Sequence, residues 1–112
     1  MVVYAAIAAP GGCIPFFTTQ LTSAQQMSAL RCAQVRALAR FVAARPARHP
    51  PVVTGDLNAE PNSDEMRLLG GHKTAPAIPD LVLIDAWRYA DDGHPGWTWD
   101  RRSPHVHATG DT

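Results

Sequence analysis

The sequence predicts an α/β domain, and three observations carry that expectation. Two strand-like runs near the start flank a Pro-Gly-Gly turn. One stretch of helical periodicity follows them. A short apolar strand then runs into Gly55-Asp56-Leu57-Asn58. Strands alternating with helices in this order point to a mixed α/β architecture.

The elements follow in order. Val2-Val3-Tyr4-Ala5-Ala6-Ile7 is strand-like, Pro10-Gly11-Gly12 turns the chain, and Ile14 to Leu21 is a second strand rich in aromatic and β-branched residues. Pro15 is expected at the start of that strand, where no ladder hydrogen bond is lost. From about Ser28 to Ala44, Val35, Leu38, Phe41 and Val42 fall on one helical stripe, with Arg36 and Arg40 on the wet side. Pro46 and His49-Pro50-Pro51 end that helix. Val52-Val53-Thr54 is a short strand, and Ser63 N-caps a helix over Asp64 to Leu69 that Gly70-Gly71 stops. Residues 72–80 form a Pro-containing loop, Leu81 to Trp87 is apolar with a single acid, and Trp97-Thr98-Trp99-Asp100 is the last strand-like piece. Residues 101–112 are polar and expected to fray.

Length and composition bound the rest. With 112 residues there is room for one domain. A hydrophobic share of 46% with ten basic and ten acidic residues excludes an intrinsically disordered tail and gives no global basic field for nucleic acid. No apolar run reaches the roughly 20 residues of a membrane-spanning helix. Met1 to Pro10 lacks the basic flank of a secretory signal. Two cysteines, Cys13 and Cys32, make neither a disulfide framework nor a zinc ribbon, and Cys32 reads as a small core residue. The expected setting is cytoplasmic.

Chemistry concentrates where the strand over residues 52–54 ends. Polar groups there stand at the C-terminal edge of a sheet, where open α/β sheets bind ligands. Gly55 lets the backbone approach a ligand or leave the ladder. Asp56 is suited to accept a proton from water or to bind a hard cation. Asn58, two residues on, is suited to donate to a phosphoryl oxygen. The same residues also suit an Asx turn that merely closes the strand, and the spacing does not choose between the two.

Gly55-Asp56-Leu57-Asn58-Ala59-Glu60-Pro61 resembles the GDxNxxP signature of the endonuclease/exonuclease/phosphatase superfamily, metal-dependent phosphoesterases. Four further blocks agree in order: Phe16 to Leu21 with the family's strand ending in Thr-His-Leu, Arg31-x-x-Gln34 with its Arg-x-x-Gln, Ser63-Asp64-Glu65-Met66 with the helix start after the signature, and Asp85-Ala86-Trp87 with Trp97-Thr98-Trp99-Asp100 for its later elements. The resemblance implies a four-layer α/β sandwich with a mixed, largely antiparallel sheet, and in-line hydrolysis of a phosphoester with Mg²⁺, or Mn²⁺, as Lewis acid. It gives Asp56 the water-activating role and a place at the metal, and Asn58 the hold on phosphate. Gln20 stands at the Thr-His-Leu position, where its amide can hydrogen-bond a phosphate but cannot act as an acid.

The family's upstream Asn and metal-binding Glu have no counterpart before Val2, and its closing Ser-Asp-His is missing. The chain therefore reads as one partial domain over residues 1–112, a fragment with little activity alone that keeps the fold as a non-catalytic remnant or interaction module if it is not an enzyme. An uncovered sheet is expected to favour self-association. Substrates in the superfamily include nucleic acid, phospholipid head groups and small phosphodiesters.

Other residues carry competing readings. Arg31 and Gln34 share a helix face and either reach a substrate or tie the helix to a neighbouring loop. Trp97 is a candidate for stacking on a base, although Trp87, Trp97 and Trp99 equally suit core packing. Asp85 is a second acid near the site or the cap of a turn. His105 and His107, with His94 or Asp100, have a spacing zinc can use but sit in the polar tail.

Overall fold

The computed structural model describes residues 1–90 together with Gly93, Gly96 and Thr98. Of the strand expected over residues 97–100 only Thr98 is described, and the tail over 101–112, with Trp97, His94, His105 and His107, lies outside the described residues.

The first two strands, β1 (Val2–Ala9) and β2 (Gly12–Gln20), form an antiparallel hairpin in which Ala9 faces Gly12. Pro10 and Gly11 make the turn. Proline fixes the second turn position, and Gly11 at φ 85° supplies the third, a combination that type II turns use. The third strand, β3 (Val52–Asp56), lies on the other side of β2 and runs parallel to it, giving the order β1-β2-β3. The sheet is therefore mixed, half antiparallel and half parallel by strand pair rather than largely antiparallel. A parallel neighbour needs a crossover, and helix α1 (Ser28–Ala43) supplies it.

Pro15 differs from expectation. β2 starts earlier than Ile14, so Pro15 sits inside the strand opposite Ala6. β3 joins β2 only from Phe16 onward, so Pro15 has β1 alone beside it, an edge-like place where a missing N–H is tolerated.

The core forms where α1 lies on the sheet. Alternation along β2 sends Pro15, Phe17 and Thr19 to the α1 side. From α1 come Val35, Leu38, Ala39 and Val42, spaced for one helical face. Phe17, Leu21, Val35, Leu38, Val42 and Leu69 make the buried cluster. Phe41 is only half-buried. Its ring meets Phe17 edge-on at 5.8 Å, and the Arg45 guanidinium sits 3.5 Å from its ring centroid.

Leu69 belongs to the second helix, α2 (Asp64–Gly70), which packs on α1. Both of its ends match the sequence signals. The Ser63 hydroxyl accepts from Met66 N, and Gly71 closes the helix in the left-handed region at φ 62°. After a loop, a short 3₁₀ turn spans Ala86–Tyr89. Asp85 caps it by accepting from Trp87 N at 2.9 Å, which settles the turn-capping alternative for that residue.

Candidate active site

β2 and β3 run parallel, so both end at the same edge and their last residues, Gln20 and Asp56, lie side by side in register. Gly55 makes that closeness possible. Its φ is 128°, and a Cβ there would fall inside the backbone of Thr19. The approach that Gly55 permits is thus of strand to strand. Leu21 N continues the ladder to Asp56 O at 3.0 Å.

Beyond β3 the chain turns back on itself. Asp56 Oδ1 accepts from Asn58 N at 3.1 Å, an Asx turn, and Asn58 itself sits at φ 49°, a conformation asparagine tolerates better than most residues. Its Nδ2 donates to Leu21 O at 2.8 Å. Gln20 and Asp56 are exposed and Asn58 is half-buried. The edge thus carries one carboxylate and two carboxamides in proximity. Asp56 Oδ2 and the second hydrogen on Asn58 Nδ2 lie outside these bonds.

Of the two readings of Arg31, reaching a substrate or tying the helix to a neighbouring loop, the structure shows the second: Arg31 is buried and its guanidinium bonds the protein. Nε bonds Glu65 Oε2 at 2.6 Å, Nη1 donates to the carbonyls of Thr22 and Ala24, and Nη2 donates to Gln25 O at 2.9 Å. Gln34 accepts from Thr22 N and donates to the Thr22 hydroxyl, each at 3.0 Å. Both residues therefore tie α1 to the loop after β2.

Glu65 was missed in the sequence. It is fully buried, and it accepts from the Ser28 hydroxyl at 2.8 Å as well as from Arg31. A signal existed. Arg31 stands four residues before Val35 on the α1 stripe, and Glu65 stands four before Leu69 on α2, so each puts a charge at a core position. Two misplaced charges of opposite sign on helices that pack together are a pair waiting to be matched. Burial by itself pushes the Glu65 carboxyl up, but hydrogen bonds from its own backbone N–H, Arg31 and Ser28 outweigh that and hold it below its ordinary value. Cys32 is half-buried rather than in the core, and burial, with Glu65 and Asp64 nearby, pushes its thiol up.

The donor set does not fit a metal cage. Mg²⁺ takes near-octahedral oxygen ligation. Among the described residues only Asp56 brings a carboxylate into the Asx turn, and no group of three or more His, Cys, Asp or Glu side chains is placed to hold an ion.

A helix-backed mixed sheet with a carboxylate and carboxamides at its C-terminal edge is an α/β protein with a polar edge. Residues 4–111 match the model of the Endonuclease/Exonuclease/phosphatase family, and the chain belongs to that family. No curated protein and no solved structure matches it. The family comprises hydrolase-type enzymes such as nucleases and phosphatases, acts on phosphoester substrates and generally uses divalent metals. Among the described residues no helix is long and apolar enough to cross a membrane.

Proposed function

We propose that the chain carries the hydrolytic edge of a phosphoester hydrolase, a nuclease or a phosphodiesterase/phosphatase, and turns over phosphoesters slowly on its own. The observation that supports this is the gathering of Asp56, Asn58 and Gln20 at one sheet edge of a family member. Water attacks phosphorus in line, and the Asp56 oxygen outside the Asx turn takes its proton. Asn58 Nδ2 and the Gln20 amide donate to the non-bridging oxygens as charge builds on them. The P–O bond to the leaving group breaks, and that oxygen takes a proton from solvent. Holding Asn58 through Leu21 O fixes its donor before substrate arrives, so little reorganisation is left for the transition state. Nucleic acid, a phospholipid head group and a small phosphodiester all offer the required oxygens.

The four-layer sandwich of the family is part of the same reading. Val3, Ile7 and Val52 are exposed on the sheet face away from α1, and a second sheet would cover them. Left uncovered, that face would draw copies of the chain together. Free thiols at Cys13 and Cys32 support a cytoplasmic setting.

Turnover of bis-p-nitrophenyl phosphate, with Mg²⁺ or Mn²⁺ titrated against chelator, tests the hydrolase. Asp56→Asn should lower kcat by about 10²-fold or more while the fold, followed by circular dichroism, is kept. Equal turnover in the variant would remove Asp56 from the chemistry. A second reading, an interaction module without catalysis, is favoured by the engagement of Asp56 Oδ1 and Asn58 Nδ2 with local backbone. A folded chain with no turnover at saturating metal would select it.

A further inference from the structure

We propose that Arg31 and Glu65 are positioning residues, a buried pair that sets where Asn58 stands. The catalytic consequence rests on the hydrolase reading. The structural one rests on geometry alone.

The two site-bearing loops converge on this pair. The loop after β2 presents the carbonyls of Thr22, Ala24 and Gln25, and all three accept from the one Arg31 guanidinium. Gln34 holds Thr22 through both its backbone N–H and its hydroxyl. One residue earlier, Leu21 gives its carbonyl to Asn58 Nδ2 and its N–H to Asp56 O. A shift of this loop therefore moves the acceptor on which Asn58 hangs. From the other side, Glu65 lies in the first turn of α2, after the signature segment, and anchors Arg31 and Ser28. A continuous path runs from Glu65 through Arg31 and Thr22 to Leu21 and then Asn58.

The residue types suit this role. Only the planar fork of arginine bonds several carbonyls and a carboxylate at once, whereas lysine offers a single ammonium point. A buried ion pair is also a poor device for stability alone, since well-packed apolar residues of similar volume often do as well or better. The pair instead fixes one geometry among several that hydrophobic packing would accept, and the geometry it fixes is that of the loop beside the candidate site.

The test separates positioning from stability in the 112-residue chain. The double variant Arg31→Met with Glu65→Leu keeps volume and removes both charges, and Arg31→Lys keeps charge but loses the fork. Melting temperature, the Asn58 side-chain amide signals and Leu21 amide exchange by NMR, and kcat on bis-p-nitrophenyl phosphate are read together. The double variant is expected to melt at or above the wild-type temperature, yet to shift the Asn58 signals, speed Leu21 exchange and lower kcat by about tenfold or more. Arg31→Lys should shift the same signals.

Asp64→Ala, which removes the neighbouring exposed Asp64–Arg67 pair, should leave them in place. A folded double variant with wild-type Asn58 and Leu21 signals would overturn the proposal and leave the pair a packing element. Should that variant not fold, Glu65→Gln, which keeps the shape, decides by the same signals. A wild-type chain with no turnover defeats the hydrolase reading only, because the NMR signals still decide the positioning.

Discussion

The two faces of the sheet are built from similar residues and have opposite fates. On the α1 side, Phe17 is fully buried and sits between Tyr4, Phe41 and the helix stripe. On the other side, its neighbour Phe16 lines up with Ala5 and Val52 in register and joins no core cluster. Val3 and Ile7 on that second face stay 54% and 44% exposed. Both faces are apolar, so residue type does not separate them. What separates them is α1, whose stripe over Val35, Leu38 and Val42 has one sheet face to cover. Hydrophobicity says that a side chain prefers to be buried, and the neighbouring layer determines which one is.

The sharpest way to break this comparison is the pair of adjacent phenylalanines. Phe17→Ala should cost about 4 kcal/mol in a denaturant titration, as a truncation that leaves a cavity in a packed core. Phe16→Ala should cost less than half of that, because its ring is only partly withdrawn from water. Equal costs would mean that the second face is covered in solution.

Next comes the charged element of the buried side. Glu65→Ala leaves Arg31 buried without its carboxylate and should cost about 3 kcal/mol. Its pH dependence has a definite sign. The Glu65 carboxyl is held below its ordinary value, so the pair's stabilisation is complete above about pH 4.3 and is lost as pH falls through the lowered folded value. Wild type should therefore lose stability in acid more steeply than Glu65→Gln, measured by urea midpoints between about pH 2 and pH 6. Parallel curves would put the acid sensitivity elsewhere.

The smallest effect belongs to the open face. Ile7→Thr keeps β-branching on an exposed strand position and should change stability by no more than about 0.5 kcal/mol. It should also reduce any self-association seen by sedimentation. A loss well beyond that would show Ile7 to be packed against something.

Much of this was legible in the sequence, because it depends on neighbours along the chain. The hairpin, the span of α1 and both caps of α2 follow from turn residues, periodicity and local hydrogen bonding, and the expected and observed boundaries of those elements differ by a residue or two. The Asx turn at Asp56 and Asn58 is of the same kind, since it spans two residues. Other features need partners far apart in sequence. Phe16 and Phe17 differ only by which face α1 occupies. Pro15 is tolerated inside β2 because β3 joins one residue later. By spacing Arg31 suits a substrate or a loop, and only the fold, which brings Glu65 from 34 residues on to its guanidinium, decides. The sequence by itself determined the elements and the residues that end at the sheet edge, because helix and turn energetics are local. Only the tertiary structure decided which apolar face is dry and which charges are paired, because burial and ion pairing depend on what the fold brings alongside.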